Sequence, residues 1–205
     1  MGAALATGVA GALCVAWAAS GLGQPAPTGA DEPQATASAS SAAASPLPTT
    51  TKRSLPTGRA ARPVSVRVPE LGVDAPVASM SAVKGVLTPP SDASSVGWWD
   101  DGARPGATRG TVVVAGHTVH TGGGAFDHLG TLEPGARVVV RTRKGVVRYE
   151  VRRVETYDKA TLAEKSSRLF RTTGRPRLLL ITCDDWDGTG YLSNTVVFAA
   201  PVASA

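Results

Sequence analysis

Short hydrophobic segments separated by Gly- and Pro-rich turns dominate the chain from about residue 63 onward. Polar and apolar residues alternate from Val64 to Val68, which is typical of a strand with one buried face. Continuous apolar runs, typical of strands buried on both faces, occur at residues 111–115 and 178–181. Only residues 159–170 have the pattern of a helix.

A β-hairpin and a final strand complete the pattern. Residues 137–141 and 146–154 are predicted strands, joined by a turn in which Gly145 can supply a positive φ. The last strand is predicted at residues 195–199. Many short strands separated by such turns indicate a mainly β domain, closed or nearly closed into a barrel.

The first 23 residues form an apolar segment of a different kind. Residues 2–22 carry no charge and are long enough to cross a bilayer, so residues 1–23 are expected to be a transmembrane anchor. A secretory signal peptide cleaved near Ala18 is the alternative. Either segment places the domain outside the cytoplasm, on a single-pass membrane anchor or, after cleavage, secreted. A lipoprotein is disfavoured because Leu13 and Gly11 precede Cys14 in the positions of a lipobox.

Residues 24–62 are rich in Ala, Ser, Thr and Pro and contain few large apolar residues. Such a stretch cannot bury enough surface to offset its loss of conformational entropy, so it is predicted to be a disordered linker. The folded domain is then expected at residues 63–202. The chain carries 21 Lys and Arg against 16 Asp and Glu. No basic stripe interleaved with aromatics indicates nucleic-acid binding, and at most a modest attraction to an anionic wall or membrane surface is expected.

The cysteine count singles out one thiol. The chain has two cysteines, and because Cys14 lies in the apolar segment, Cys183 is the single cysteine of the exported domain. Cys183 follows the apolar run at 178–181 and precedes a polar turn predicted at 184–188, so we expect it at the carboxyl end of a buried strand. Inert burial and catalysis are both open at this point.

A second predicted strand ends in a group that complements a thiol. His117 follows the run at 111–115 and Gly116, where the strand gives way to a glycine-rich loop. A thiol and an imidazole at two strand ends are the pair that a cysteine transferase needs. His120 and His128 are weaker candidates, because each falls within the loop.

Two other kinds of site are weighed against this pair. Zinc could be bound by Cys183 and the histidines, but no paired metal-ligand spacing supports such a site. The acidic residues at 184–188 could receive a cationic amine or a calcium ion, although such a turn is more often a solvated loop.

Several segments match one known family in order and spacing. LITC at residues 180–183 and VAGHTVH at residues 114–120 are similar to the cysteine strand and the histidine segment of the sortases, the cysteine transpeptidases of Gram-positive cell surfaces. VRVPELGVDAPV at 66–77, LTPP at 87–90 and GWWDDGARPG at 97–106 resemble the actinobacterial class E and F branch. The resemblance covers about residues 63–202.

The resemblance implies a closed eight-stranded sortase-type β-barrel with one or two short helices, in which Cys183 is the nucleophile and His117 the acid/base partner. The family also uses an arginine near the start of the final strand, and this chain has no arginine after Cys183. Asn194 falls closest to that position and can donate an amide hydrogen bond. The rival expectation is that Arg141 or Arg177 reaches the site.

The expected activity is cleavage of an LPxTG-like sorting signal through a thioacyl-enzyme intermediate and transfer to a cell-wall amine. The expected partners are exported proteins with a C-terminal sorting signal, a peptidoglycan or lipid-linked amine acceptor, and the membrane through the N-terminal segment. No cofactor, metal or nucleic acid is expected. The alternatives are a catalytically weak or silent sortase-fold binding domain, and another cysteine peptidase. An L,D-transpeptidase is disfavoured because its Ser-His-Gly-Cys pattern is absent.

Overall fold

A computed structural model describes residues 60–202. The predicted anchor or signal peptide at 1–23 and nearly all of the predicted linker at 24–62 lie outside the described residues. Within residues 60–202 no helix is long and apolar enough to cross a membrane. The elements are β1 (Pro63–Val68), β2 (Val73–Met80), β3 (Ala82–Val83), β4 (Val86–Leu87), β5 (Val96–Trp99), β6 (Thr111–Gly116), β7 (Arg137–Thr142), β8 (Gly145–Asp158), α1 (Lys159–Leu169), β9 (Arg177–Trp186), β10 (Tyr191–Pro201), and two 3-10 helices at Pro69–Leu71 and Leu129–Thr131.

Eight of these strands close into a barrel in the order β1-β2-β5-β6-β9-β10-β8-β7. Strand β7 pairs with β1 and completes the ring. The pairs β2–β5 and β6–β9 are parallel, and the other pairs in the ring are antiparallel. Strands β3 and β4 form a separate small hairpin. The mainly β, closed eight-stranded barrel with one α-helix is therefore confirmed.

The barrel strands bury side chains on both faces. The inner cluster fills the barrel. Its buried members include Val66, Trp98, Val114, Phe126, Val140, Tyr149, Leu178, Leu180 and Val197. The outer cluster lies on the other face of the same strands and contains Met80, Leu87, Trp99, Leu162, Leu169, Phe170, Leu179, Ile181, Cys183, Tyr191, Val196 and Phe198. Because alternate residues of β9 enter different clusters, its sequence is apolar without alternation.

Helix α1 covers the outer cluster and is fixed at both ends. At its start, the Asp158 carboxylate accepts from the backbone N–H of Thr161 at 2.8 Å. The Thr161 hydroxyl and this N–H hold the pKa of Asp158 below its usual value. At its end, the Arg177 guanidinium donates to the carbonyls of Arg168 at 2.8 Å and Leu169 at 2.7 Å. The first residue of β9 thus satisfies carbonyls that the last helical turn leaves without a partner.

Two expectations about the strand ends are wrong. Strand β9 continues through Trp186, so Cys183 is followed by three more strand residues rather than by a turn. The turn lies later, where the Asp187 carboxylate accepts from the backbone N–H groups of Thr189 and Gly190 at 2.7 and 2.8 Å. Strand β10 begins at Tyr191, four residues before the predicted start. The longer strands add cross-strand pairs around the thiol.

Candidate active site

Cys183 lies on β9 between β6 and β10, with its side chain in the outer cluster. The residue is 3% exposed. Leu179 and Ile181 precede it on the same face, and Val196 and Phe198 of β10 belong to the same cluster. This packing fixes the thiol on the outside of the barrel wall, within a layer that the helix and loops cover.

Asn194 lies directly opposite Cys183 in the antiparallel pair of β9 and β10. Its amide nitrogen donates to the carbonyl of Thr182 at 3.1 Å and lies 4.0 Å from Sγ of Cys183. The side chain is fully buried, and its Oδ1 has no hydrogen-bond partner among the described residues. The amide N–H of Asn194 is therefore directed at the thiol from a position closed to solvent.

Thr182 ties β9 to the end of the parallel strand β6. Its hydroxyl donates to the carbonyl of Gly116 at 3.0 Å and lies 2.7 Å from the hydroxyl of Thr118. These two contacts hold both neighbours of His117 against the residue that precedes Cys183. The end of β6 thus lies beside the part of β9 around Thr182, which brings the backbone of His117 near that of Cys183.

His117 is 8% exposed, and its ring is held by a backbone carbonyl. Nε2 lies 2.8 Å from the carbonyl oxygen of Pro90, in the loop that follows β4. Because a carbonyl only accepts, Nε2 must carry a hydrogen in this contact, and the tautomer is assigned on that basis. In the neutral ring Nδ1 is then the nitrogen that can accept a proton.

The loop after His117 is fixed by close packing and by one carboxylate. A Cβ atom on Gly116 would lie 2.6 Å from the Phe126 ring, so only glycine fits where the strand leaves the barrel. The Phe126 N–H donates to the carbonyl of His117 at 3.1 Å. The Asp127 carboxylate accepts from the N–H of Val119 at 2.7 Å. The loop therefore returns to His117 and restrains its backbone.

A row of rings borders the thiol on the side of the β9–β10 turn. The His120 imidazole stacks on Trp186 with centroids 4.3 Å apart, and Trp186 packs at a tilt against Tyr191 at 4.9 Å. Burial raises the pKa of Tyr191, the backbone N–H of His120 opposes this shift, and negative charge on Cys183 and Asp127 adds to it. Tyr191 and Cys183 belong to the same outer cluster, so the stacked rings place His120 in the wall of the site.

Neither arginine considered as a replacement for the missing guanidinium is directed at Cys183. Arg177 stands at the other end of β9, about 20 Å away at about 3.3 Å per residue. Its guanidinium also donates to the Thr111 hydroxyl at 3.0 Å. Burial and three neighbouring arginines lower the pKa of Arg177 to about 10. Arg141 is exposed on β7, which pairs with β1 and β8 rather than with β9.

The remaining candidate residues have structural contacts of their own. His128 is exposed, and its carbonyl accepts from the N–H of Thr131 at 3.0 Å. Asp184 accepts from the Thr195 hydroxyl at 2.5 Å, and Asp187 closes the β9–β10 turn. Among residues 60–202 no group of three or more His, Cys, Asp or Glu side chains is placed to hold a metal ion.

Three features of the site were not predicted from the sequence. The Pro90 carbonyl has no signature of its own, because any residue supplies the same oxygen. The stacking of His120 on Trp186 joins the loop after β6 to the end of β9, two segments that are distant in sequence. Thr182 is the one feature with a usable signal, since a polar residue that interrupts a fully buried strand must find partners.

The comparisons with known proteins agree with this architecture. A family model described as the sortase domain matches residues 66–202. No curated protein sequence matches the chain. Among solved structures, sortase C-1 from Actinomyces oris is similar with a TM-score of 0.54 and 22% identity, covering 67% of this chain and 72% of that one. Sortase C-1 from Streptococcus pneumoniae gives a TM-score of 0.55 and 20% identity, covering 69% and 67%.

A third structure extends the likeness to another class. Sortase A from Corynebacterium diphtheriae gives a TM-score of 0.56 at 17% identity, covering 72% of this chain and 63% of that one. At these identities the solved structures show the fold alone, and the family model supplies the match in sequence. Because that match spans nearly all of the described barrel, this chain belongs to the sortase family.

Proposed function

We propose that this protein is a sortase-type cysteine transpeptidase that cleaves an LPxTG-like sorting signal and transfers it to a cell-wall amine. The observation that carries the proposal is the placement of Cys183 beside Asn194 on β10 and beside the end of β6, where His117 begins its loop. We also propose that the domain lies outside the cytoplasm, tethered through the N-terminal segment. The segments at 87–90 and 97–106 support a place in the class E and F branch, which they resemble.

The first chemical step is acylation of the thiol. Nδ1 of His117 takes the proton of Cys183, since Nε2 is already engaged with the Pro90 carbonyl. The thiolate attacks the scissile carbonyl carbon, the carbon–nitrogen bond breaks, and the imidazolium returns its proton to the departing amine. The product is a thioester on Cys183.

The second step regenerates the thiol. An incoming amine attacks the thioester carbonyl, His117 removes the proton that this amine must lose, and the sulfur departs as thiolate and takes that proton from the imidazolium. A new amide bond replaces the thioester, so no external reductant, oxidant or energy source is needed.

Asn194 stabilises the sulfur in both steps. Its amide nitrogen lies 4.0 Å from Sγ and is fully buried, which favours action on the thiolate rather than on a substrate carbonyl. A neutral donor supplies roughly half the stabilisation of a charged one. We therefore expect slower turnover than a guanidinium in this place would give.

The test is mass spectrometry of the full chain after incubation with a panel of LPxTG-like peptides. The expected result is a mass increase equal to the acyl fragment of one peptide, located on Cys183 and released by hydroxylamine. Cys183→Ala is the matched control and should carry no adduct. If iodoacetamide alkylates Cys183 but no peptide acylates it, the silent binding domain is the better description.

A further inference from the structure

Charged side chains are distributed unequally between the two ends of the barrel. One end, here called the basic end, is formed where β1, β6 and β9 begin and β7 finishes. Strand pairing defines it, since Pro63 pairs with Thr142 and Thr111 pairs with Arg177. Cys183 lies towards the opposite end of β9.

Six exposed cationic residues surround the basic end. Backbone hydrogen bonds join their segments: Arg143 donates to the carbonyl of Arg62 at 3.2 Å, Ala61 to that of Pro105 at 3.2 Å, and Gly110 to that of Gly174 at 3.1 Å. The six residues are Arg62, Arg104, Arg109, Arg143, Lys144 and Arg175. Asp100 and Asp101 follow β5 at this end, and the Asp100 carboxylate already accepts from the hydroxyls of Ser79 and Ser81.

The thiol end has the opposite character. Asp184 and Asp185 follow the thiol directly, and Asp187 closes the adjoining turn. Asp127 lies in the loop after His117, and Asp92 lies two residues after Pro90. The barrel therefore carries positive charge at one end and negative charge at the end that holds the candidate active site.

Exposed apolar side chains accompany the cations. Val64 is 44% exposed at the start of β1, and Val146 is 41% exposed at the start of β8. Both lie next to the turn that carries Arg143 and Lys144, because β7 pairs with β1 and with β8. Cations flanking exposed apolar residues are the composition of surfaces that bind at a lipid–water interface.

We propose that the basic end docks on the surface of an anionic lipid bilayer and holds the thiol end away from it. The chain enters the described domain at this end, since Ala61 and Arg62 are bonded there. The apolar segment at residues 2–22 precedes that point in the sequence. Each Lys or Arg near an anionic bilayer strengthens partitioning by roughly fivefold, so six act together strongly. This docking is independent of the transfer chemistry.

Lysine footprinting of the full chain tests the proposal. The chain is reconstituted in vesicles of phosphatidylcholine alone, or of phosphatidylcholine mixed with phosphatidylglycerol, and treated with a membrane-impermeant acetylating reagent. Lys144 reports on the basic end, and the exposed Lys159 at the start of α1 is the internal reference. Because both lysines are in one molecule, their ratio cancels differences in chain orientation.

The expected result is a fall of at least about threefold in Lys144 acetylation relative to Lys159 when phosphatidylglycerol is present. High salt should reverse the fall, because the Debye length shrinks from about 8 Å at physiological ionic strength to about 3 Å at molar salt. Arg62→Glu with Arg143→Glu should abolish it. Lys165→Glu with Arg152→Glu changes the net charge equally and should leave it intact.

Two results would overturn the proposal. If the ratio of Lys144 acetylation to Lys159 acetylation were the same in the two kinds of vesicle, the basic end would not contact the bilayer. In a second experiment, soluble polyphosphate is added to the protein in neutral vesicles. If it protected Lys144 from acetylation as well as anionic vesicles do, the basic end would be assigned to binding a soluble polyanion. Thioacyl formation on Cys183 is scored on the same samples, so loss of docking and loss of chemistry are read separately.

Discussion

The inner and outer clusters are built on opposite faces of the same strands, yet they differ in how they are closed. Eight strands surround the inner cluster, and Phe126, Leu129 and Leu132, which lie between β6 and β7, complete it. The outer cluster has the wall on one side, while α1 contributes Leu162 and Leu169 to its cover and the segment with Leu87 contributes another part. We therefore expect the inner cluster to set the stability of the barrel, and the outer cluster to open at a lower free-energy cost than global unfolding.

Two adjacent tryptophans show the difference. Trp98 belongs to the inner cluster, and its indole N–H donates to the carbonyl of Ala103 at 3.2 Å. Trp99 belongs to the outer cluster, and its buried indole N–H has no partner among the described residues. The Asn194 Oδ1, on the residue opposite Cys183, shares this condition. Buried polar atoms without partners therefore occur both beside the thiol and near Trp99, which lies by Gly102 and Thr111 at the other end of the barrel. Substrate or water can supply a hydrogen bond to the atom beside the thiol.

Cys183→Ala should produce the largest change in activity, with complete loss of peptide transfer. It removes one sulfur atom from the outer cluster, so the free energy of unfolding should fall by only about 1 kcal/mol. A transpeptidation assay and a urea titration measure the two quantities. Residual transfer by the variant would place the nucleophile elsewhere.

Leu180→Ala should lower stability strongly and activity little, the reverse of what is expected for Cys183→Ala. Leu180 is fully buried in the inner cluster, and its truncation leaves a cavity that costs roughly 2–5 kcal/mol of stability. Turnover per folded molecule should stay near that of the wild type at low temperature. Leu179, the neighbouring residue, belongs to the outer cluster. If Leu180→Ala cost less stability than Leu179→Ala, the expectation that the inner cluster sets the stability of the barrel would be contradicted.

His117→Ala should lower turnover by about 100-fold or more, because the thiol loses its proton acceptor and the leaving amine its donor. His128→Ala, at an exposed position, should leave turnover unchanged. His120→Ala should raise KM more than it lowers kcat, because His120 stacks on Trp186 in the wall of the site. Steady-state kinetics on the three variants separates these roles. A larger loss of kcat for His120→Ala than for His117→Ala would exchange the two assignments.

Asn194→Ala should lower kcat by about tenfold, with less effect on KM, since the amide acts on the sulfur rather than on bound peptide. Asn194→Asp should be slower still, because a carboxylate 4 Å from Sγ, at the distance of the present amide nitrogen, repels the thiolate. The pH dependence of Cys183 alkylation measures the same interaction directly. Unchanged alkylation at every pH in both variants would limit Asn194 to a structural role.

Tyr149→Phe should give the smallest effect, visible only in alkaline solution. Burial in the inner cluster raises the pKa of Tyr149 above its usual value, and the backbone N–H of Gly106 opposes this shift. The unfolded chain therefore loses this proton near pH 10 while the folded protein retains it. The associated stability is present below about pH 10 and is lost as the pH rises further. Melting temperatures between neutral and alkaline pH should fall less steeply for Tyr149→Phe than for the wild type, and parallel curves would contradict this.

The sequence identified strands wherever hydrophobic periodicity was strong. Strands β1, β6 and β9 and the β7–β8 hairpin lie at the predicted places. Strands β2 and β5 were missed because VDAPVASM contains a proline and mixed polar residues, and VGWW is only four residues long. Their parallel pairing joins segments separated by the β3–β4 hairpin, which no local pattern records.

In the candidate site, too, some residues were predicted from the sequence and others were not. Cys183 and His117 were found because each follows a continuous apolar run. The placement of Asn194 opposite Cys183 depends on the length of the β9–β10 turn, and that turn was expected three residues too early. The contact between His117 and Pro90 depends on how a loop packs, which the residue types of that loop do not encode.

The hydrogen bonds of Thr182 also bear on where this chain tolerates changes in length. They fix the thiol relative to β6, upstream of the turn at residues 187–190. A residue inserted between Leu178 and Thr182 would turn the sulfur into the barrel, because side chains alternate along a strand. Residues added to the turn leave Thr182 and its partners in place. The tip of the β9–β10 hairpin is therefore the position at which the chain can gain or lose residues while Cys183 keeps its place beside β6, provided that Asn194 stays opposite Cys183.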